Sequence, residues 1–252
     1  MLLKFLKRAT PPRSAPTIPP GQRVYAIGDI HGRLDLLAPL LDAIDADDTA
    51  RGPARTTYVF LGDLVDRGPD SRGVVERIRR LAEEKPDVRL LAGNHEEIFL
   101  GAIGGEDKAL RLFCRIGGRE TAISYGIAPP NYEAMDYDEL AEALADVVPP
   151  DHRALLASAS DMEVIGDYAF VHAGVHPDRA LSEQRSSDLR WIRNPFLDHR
   201  TPLEKMIVHG HTVSSTVEFL PHRIGVDTGA YESGRLSALG LEAERTWHLD
   251  TI

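Results

Sequence analysis

Residues 62–68 read Gly-Asp-Leu-Val-Asp-Arg-Gly, and the fold prediction starts from them. They follow an apolar run at residues 58–61, Tyr-Val-Phe-Leu, which is typical of a short buried strand. Asp63 and Asp66 therefore come directly after a strand, at the edge where an open α/β sheet binds its ligand. Two carboxylates at that edge predict a ligand-binding or metal-binding site.

Other predicted strands end in similar polar loops. The runs at 24–27, 88–91, 168–171, 205–208 and 223–226 are followed, in that order, by Asp29 and His31, Asn94 and His95, His172, His211, and Asp227. Glycines stand beside many of these residues, and glycine lets the backbone turn sharply and approach a ligand closely. Oxygen donors together with imidazole nitrogens are what a divalent metal ion binds, so the loops predict a metal site.

The composition limits the class of protein. A chain of 252 residues with 42% hydrophobic residues can form one large domain with a packed core. Its formal net charge of -10 argues against a nucleic-acid partner, which would require phosphate neutralisation by Lys and Arg. A small phosphorylated substrate stays open, because bound metal ions set the local field. The single cysteine, Cys114, and the lack of a run of ~18 apolar residues predict a cytoplasmic protein without stable membrane insertion.

The pattern along the chain changes three times. Residues 1–21 are rich in proline and are predicted to be a flexible tail, and residues 22–252 a single domain. Strands then alternate with helices at about 34–44 and 71–84, the second capped by Ser71, which implies parallel strand pairing. Residues 107–160 are predicted to be a helical insert, because Gly-Gly and Pro-Pro pairs interrupt helical patterns there. The remainder returns to strands, including a final hairpin at about 236–240 and 243–249.

The motifs occur in the order Asp-x-His, Gly-Asp-x-x-Asp-Arg-Gly, Gly-Asn-His-Glu, His-Ala-Gly and Gly-His-Thr. This order resembles the calcineurin-like metallophosphoesterases, and within them the bacterial and phage-type serine/threonine protein phosphatases of the phosphoprotein phosphatase family. The resemblance covers about residues 23–230. It implies an α/β fold in which a two-sheet β sandwich is flanked by helices, with a dinuclear metal site at the strand-end loops.

The resemblance also implies a ligand set for two divalent metal ions. Asp29, His31 and Asp63 would bind the first ion, and Asp63, Asn94, His172 and His211 the second, with Asp63 bridging. Mn²⁺ is the first expectation for both ions, with Fe, Zn²⁺ or Ni²⁺ as alternatives, since all accept N and O ligands. A bridging carboxylate holds two ions ~3.5–4 Å apart, which suits displacement at phosphorus by a water or hydroxide between them.

Further residues would act on the substrate. By the same resemblance, His95 is the general acid that protonates the leaving oxygen, and Asp66 orients it. Arg67 would bind the substrate phosphate bidentately, together with Asn94 and a second arginine. Arg193, in Trp-Ile-Arg at residues 191–193, is the preferred candidate for that arginine, and Arg190 is the alternative.

The leading functional prediction is a phosphomonoesterase acting on phosphoserine or phosphothreonine in proteins, with phosphotyrosine and small phosphoesters as further substrates. Asp66 and Glu96 favour this prediction, because the symmetrical diadenosine tetraphosphate hydrolases tend to lack Asp at the first position and to have Asp at the second. Val213, two residues after His211, also matches the protein phosphatases, where many other metallophosphoesterases have a further histidine.

The alternative prediction is symmetrical diadenosine tetraphosphate hydrolysis, the bis(5'-nucleosyl)-tetraphosphatase reaction. That enzyme shares the pattern Gly-Asp-Leu-Val-x-Arg-Gly-Pro-x-Ser, which stands here at residues 62–71. A non-enzymatic scaffold is the third hypothesis. It is disfavoured, because no ligand that the resemblance implies is missing from the chain.

Overall fold

A computed structural model describes residues 15–252 of the chain as two five-stranded sheets packed face to face, with helices on their outer faces. The strands are β1 (Gln22–Ile27), β2 (Arg55–Phe60), β3 (Val88–Leu90), β4 (Met162–Ile165), β5 (Tyr168–Val171), β6 (Met206–His209), β7 (Glu218–Phe219), β8 (Arg223–Gly225), β9 (Ser237–Glu242) and β10 (Arg245–Asp250). The first sheet has the order β10-β9-β1-β2-β3 and the second the order β4-β5-β6-β8-β7.

Helices fill the connections between these strands. They are α1 (Leu34–Ala50), α2 (Ser71–Glu84), α3 (Asn94–Ile103), α4 (Asp107–Ile116), α5 (Gly118–Ser124), α6 (Pro129–Ala134), α7 (Tyr137–Val147), α8 (Pro150–Ala157), α9 (Ser186–Trp191) and α10 (Ala230–Ser233). None of the helices described between residues 15 and 252 is long and apolar enough to cross a membrane.

The alternation of side chains along the strands builds the sandwich. In β1 and β2, Val24 and Val59 lie in the core between the two sheets, where Phe170 of β5 also packs. Their neighbours Tyr25 and Phe60 point to the opposite face and pack in the core beneath the helices. Both faces of these strands are therefore buried, which explains why their sequences are apolar without a polar alternation. The predicted two-sheet sandwich flanked by helices is confirmed.

The direction of the strands places the polar loops together. β1, β2 and β3 run parallel in the first sheet, and β5, β6 and β8 run parallel in the second. The carboxyl ends of parallel strands meet at one edge of a sheet. The loops that the sequence singled out leave these six strands at that edge, so the topology concentrates their Asp, His and Asn side chains.

Two details of the helices differ from the prediction. α1 continues to Ala50 rather than ending near residue 44, because its polar last turns are fixed by tertiary hydrogen bonds that apolar periodicity does not reveal. There Asp47 accepts from Tyr25 Oη at 2.7 Å and from Trp247 Nε1 at 2.9 Å. The cap of α2 is Asp70 rather than Ser71, since the Asp70 carboxylate accepts the N–H of Gly73 at 2.8 Å.

The predicted flexible tail falls mainly on residues 1–14, which lie outside the described residues. Residues 15–21 make up the rest of it, and Ile18 within them is only 1% exposed. Its side chain packs between the sheets, and its N–H donates to the carbonyl of Ala243 at 2.9 Å. The packed part of the chain therefore begins before residue 22, where the prediction placed the start of the domain.

Helices α4 to α8 occupy the segment that was predicted as a helical insert. Phe113 of α4 stacks on Phe99 of α3, with the ring centroids 5.6 Å apart, and Tyr125 packs against the same Phe99 ring at 5.8 Å. Because α3 begins at Asn94 and His95, this packing brings the insert close to the polar loops.

Candidate active site

The polar loops hold their side chains on an unusual backbone. Of the six non-glycine residues with positive φ in the described part of the chain, five lie in these loops. They are His31 (46°), Asp63 (50°), Asp66 (71°), Arg67 (69°) and His211 (61°). Left-handed backbone is unfavourable for most L residues, and such strain concentrates at functional sites. All five belong to the residues that the sequence predicted for the site.

Two glycines allow the loops to approach one another. Gly62 has φ 96°, and a Cβ at this position would lie 2.7 Å from the backbone N of Gly93 and 2.9 Å from His172 Nδ1. A Cβ at Gly210 would collide with the carboxylate of Asp29. A side chain at either glycine would push the loops of the two sheets apart.

Asp63 lies at the centre of the site and is 2% exposed. Its Oδ2 is 3.5 Å from His31 Nε2, and its Oδ1 is 3.4 Å from His172 Nε2. Two groups of side chains able to hold a metal ion share this carboxylate: His31, Asp63 and His95, and Asp63, His172 and His211. Asp63 is therefore the residue through which one set of candidate ligands is joined to the other.

The orientation of the histidines can be tested against a metal site. Nδ1 of His31 lies 2.8 Å from the carbonyl of Val65, and Nδ1 of His172 lies 2.7 Å from the carbonyl of Leu61. A ring N–H must donate to each carbonyl, so Nε2 of each ring carries a lone pair and faces Asp63, which offers only acceptors. A ring nitrogen and a carboxylate oxygen that face each other can both bind a cation placed between them. A metal-binding histidine usually donates its other ring N–H to a carbonyl or a carboxylate, as these two rings do.

The pKa shifts of the site residues also favour a metal site. Burial lowers the pKa of His31 and His211 to about 3 and also lowers the pKa of His172, so these rings are neutral, as metal ligands must be. Burial raises the pKa of Asp29 well above its ordinary value, and the nearby Asp227 and Asp63 raise it further. Buried carboxylates this close together need cations to stay ionised. The donor set therefore fits divalent metal ions.

The predicted ligands Asp29 and Asn94 lie at the same place. Both line the cavity that contains Asp63 and His211. Asn94 Oδ1 is 3.0 Å from His172 Nε2, whereas both oxygens of Asp29 accept the backbone N–H of His211, at 3.0 and 3.2 Å. His95, which was predicted to act on the substrate rather than on a metal, lies close enough to belong to the first group of candidate ligands.

His95 is paired with Asp66 in the interior. Its Nδ1 lies 2.7 Å from Asp66 Oδ2, and the other oxygen of Asp66 accepts from Thr121 Oγ1 at 2.7 Å. Burial opposes a charge on His95, but Asp63 and Asp66 outweigh it and raise the pKa of His95. The ring therefore keeps its proton to a higher pH than an isolated histidine, which a general acid requires.

The loop after β2, residues 62–68, is called the central loop here, and the sequence did not reveal that Glu96 shapes it. The carboxylate of Glu96 is 1% exposed and accepts the backbone N–H groups of Asp63 and Leu64 at 2.8 Å and that of Gly93 at 3.0 Å. Burial, reinforced by Asp63, raises its pKa to about 7. A glutamate three residues after the N-cap, here Gly93, is a capping signal that could have indicated the bond to Gly93. The bonds across to the central loop have no local signal.

We call the candidate metal ligands, Asp29, His31, Asp63, Asn94, His172 and His211, the ligand cluster. The cavity that four of them line has a volume of about 440 Å³. Arg67 and Arg193 both line it, as the prediction of a phosphate site requires. Arg190 does not, because its guanidinium pairs with Asp161 at 2.6 Å and Glu97 at 3.2 Å.

Arg193→Ala is expected to lower kcat/KM for a phosphoester by about 10- to 100-fold, because a hydrogen bond to a charged group contributes about 1.5–3 kcal/mol. Arg190→Ala is the matched control, and we expect a much smaller loss. Steady-state kinetics of the metal-reconstituted variants would measure both losses. A larger loss for Arg190→Ala would assign the phosphate contact to Arg190 instead.

Known proteins resemble the chain over most of its length. It is 25% identical to the asymmetrical bis(5'-nucleosyl)-tetraphosphatase PrpE of Anoxybacillus flavithermus over 233 residues, 84% of this chain and 88% of that protein. A segment of 88 residues, 35% of this chain, is 42% identical to a symmetrical bis(5'-nucleosyl)-tetraphosphatase of Paracidovorax citrulli and covers 29% of it. A solved structure provisionally described as a diadenosine tetraphosphatase shares the fold with a TM-score of 0.63 at 24% identity, covering 94% of this chain and 99% of that one.

The two tetraphosphatase sequences show that the prediction of a serine/threonine protein phosphatase is wrong, and they favour its alternative. The physical reason lies in Asp66 and Glu96, the two positions that separated this prediction from its alternative. Asp66 is buried against His95, and Glu96 is buried against the backbone of the central loop. Both side chains are buried and cannot contact the part of a substrate beyond its phosphate. Neither residue can therefore discriminate between a phosphoprotein and a dinucleotide.

The family itself follows from the match to its sequence profile. The profile of the calcineurin-like phosphoesterases matches residues 22–243, which include every strand from β1 to β9 and every loop of the candidate site. The chain belongs to the calcineurin-like phosphoesterase family, whose members are metal-dependent hydrolases of phosphoesters.

Proposed function

We propose that this chain hydrolyses dinucleoside polyphosphates, with a bis(5'-nucleosyl) tetraphosphate as substrate and two divalent metal ions, Mn²⁺ first among them, in the site. The observation that carries the proposal is the similarity to a bis(5'-nucleosyl)-tetraphosphatase over 84% of the chain. The cavity supports it, because its walls combine the candidate ligands with two arginines that suit a polyphosphate.

In this proposal Asp29, His31 and Asp63 would hold one metal ion. Asp63, Asn94, His172 and His211 would hold the other. When bound, the ions would polarise a phosphoryl oxygen and lower the pKa of the attacking water. The protein supplies the rigid frame for them, since His31 and His172 are each held by a backbone carbonyl and Asp63 is fixed through the loop that Glu96 stabilises.

The remaining side chains act on the substrate. Arg67 and Arg193, which both line the cavity, bind the phosphate oxygens and hold the reacting phosphorus over the candidate metal ligands. The backbone N–H of Arg67 donates to the carbonyl of Gly117 at 3.0 Å, so the helical insert helps to position it. Protonated His95 donates its Nε2 proton to the leaving oxygen while Asp66 accepts its Nδ1 proton in a hydrogen bond.

The test is a comparison of substrates with Mn²⁺-reconstituted protein. We expect kcat/KM for diadenosine tetraphosphate to exceed that for a phosphothreonine peptide by at least about 100-fold, a difference of about 2.7 kcal/mol in transition-state stabilisation. Chromatography of the products distinguishes two ADP, the symmetrical reaction, from AMP and ATP, the asymmetrical one. A preference for the peptide, or no turnover of the dinucleotide with metal bound, would refute the proposal.

A further inference from the structure

Two aromatic side chains line the cavity, and they differ in what covers their rings. The ring of Tyr231 is occupied: the guanidinium of Arg67 lies over it at 4.6 Å, and His31 contacts it at a centroid distance of 5.3 Å. Trp191 is 36% exposed, and no aromatic ring or cation among residues 15–252 is found stacked on it. Among these residues, therefore, no ring or cation competes with a planar ligand for the indole of Trp191.

The indole is nevertheless anchored. Its Nε1 donates to Glu97 Oε2 at 3.3 Å, and Glu97 belongs to α3, the helix that begins at Asn94. The same carboxylate oxygen pairs with Arg190 at 3.2 Å. A partly exposed ring that is held by one edge loses little conformational freedom when a ligand stacks on it.

The backbone after α9 places Trp191 beside a phosphate-binding group. Ile192 is extended, with φ -62° and ψ 140°, and its side chain is buried in the core beside the second sheet. Trp191 and Arg193 stand on either side of this buried residue in the chain, and both line the cavity. An aromatic surface and a cation two residues apart on the wall of one cavity suit a base and the phosphate of the same nucleotide.

We propose that Trp191 is the stacking surface for one base of the substrate, while Arg193 binds the phosphates attached to that nucleoside. The inference rests on the proposed function and extends it, because it names the group that separates a nucleotide from a simple phosphoester. Stacking on an aromatic ring accepts any base, since every base offers a π face, and it discriminates strongly against ligands without one.

The experiment measures binding rather than turnover. Isothermal titration calorimetry of the full, Mn²⁺-loaded chain gives Kd for ADP and for inorganic pyrophosphate, which carries the phosphates without the base. We expect Trp191→Ala to weaken ADP about 10-fold, within the range that base–aromatic stacking contributes, and to leave pyrophosphate unchanged. Trp191→Phe, which keeps an aromatic face, should retain most of the ADP affinity.

Unchanged ADP affinity in Trp191→Ala would overturn the inference. An equal loss for ADP and pyrophosphate would also overturn it, because Trp191 would then act only by holding Arg193 in place. Turnover of diadenosine tetraphosphate by the wild-type protein separates this question from the proposed function. Base-dependent binding through Trp191 without cleavage would refute the function alone, and cleavage with unaltered ADP binding in Trp191→Ala would refute the base site alone.

Discussion

Asp63→Asn is expected to remove metal binding and turnover together. Asp63 is shared by both groups of candidate ligands, so its loss weakens both metal sites, whereas each other candidate belongs to one. Mutation of an outer partner of a metal site typically costs about 10- to 100-fold in affinity or activity, and we expect kcat to fall by more than that here. Metal content by mass spectrometry and kcat on diadenosine tetraphosphate would measure the two losses.

Asparagine is the appropriate substitution at this position. It keeps the shape of the side chain, and it tolerates the left-handed backbone of φ 50° better than most residues do. The matched control is Asp87→Asn, which changes another buried aspartate, paired with Arg55 and Arg89 and not lining the cavity. Two equivalents of metal retained by Asp63→Asn would show that this carboxylate does not bridge the ions.

His95→Asn is expected to retain its metal ions and to lower kcat by about 10²–10⁴ on a substrate with a poor leaving group, the usual contribution of a general acid. The loss should be smaller for a phosphoanhydride than for an alkyl phosphate, because a nucleotide leaves with a less basic oxygen and needs its proton less. Measuring kcat for diadenosine tetraphosphate and for an alkyl phosphate, together with metal content, would test this dependence.

His248→Asn is the control, since it changes an exposed histidine of β10 outside the cavity. Equal losses on both substrates, or loss of a metal ion from His95→Asn, would argue against the role of general acid. The second outcome would place His95 among the ligands, where its proximity to His31 and Asp63 also allows it to act.

The chemistry of the site could be predicted from local sequence. A run such as residues 58–61 is apolar because both faces of the strand are buried, and the residues after it are polar because they lie at the open edge. Since parallel strands of one sheet end at the same edge, Asp63 and Asn94 could be expected to converge without knowledge of any contact. The two-sheet sandwich followed from the same pattern together with the family resemblance.

The supporting contacts could not be predicted, because they join residues that are remote in the sequence. Thr121 reaches Asp66 from the helical insert, 55 positions away, and Tyr231 reaches Arg67 from α10. Nothing in the residues around Thr121 or Tyr231 signals these contacts. They depend on how the insert packs on α3 and on where the loop after β8 passes over the site.

The substrate was mispredicted for a related reason. The motifs that determine the family also determine the metal cluster and the proton donor, and these are common to enzymes with different substrates. By itself the sequence determined the fold and the polar loops. Burial makes a short strand apolar along its whole length, and the loop that follows the strand is polar because it lies at the open edge. Only the tertiary structure decided which other side chains line the cavity, Arg193 rather than Arg190 among them, because Trp191, Arg193 and Tyr231 reach the candidate ligands through packing between distant parts of the chain.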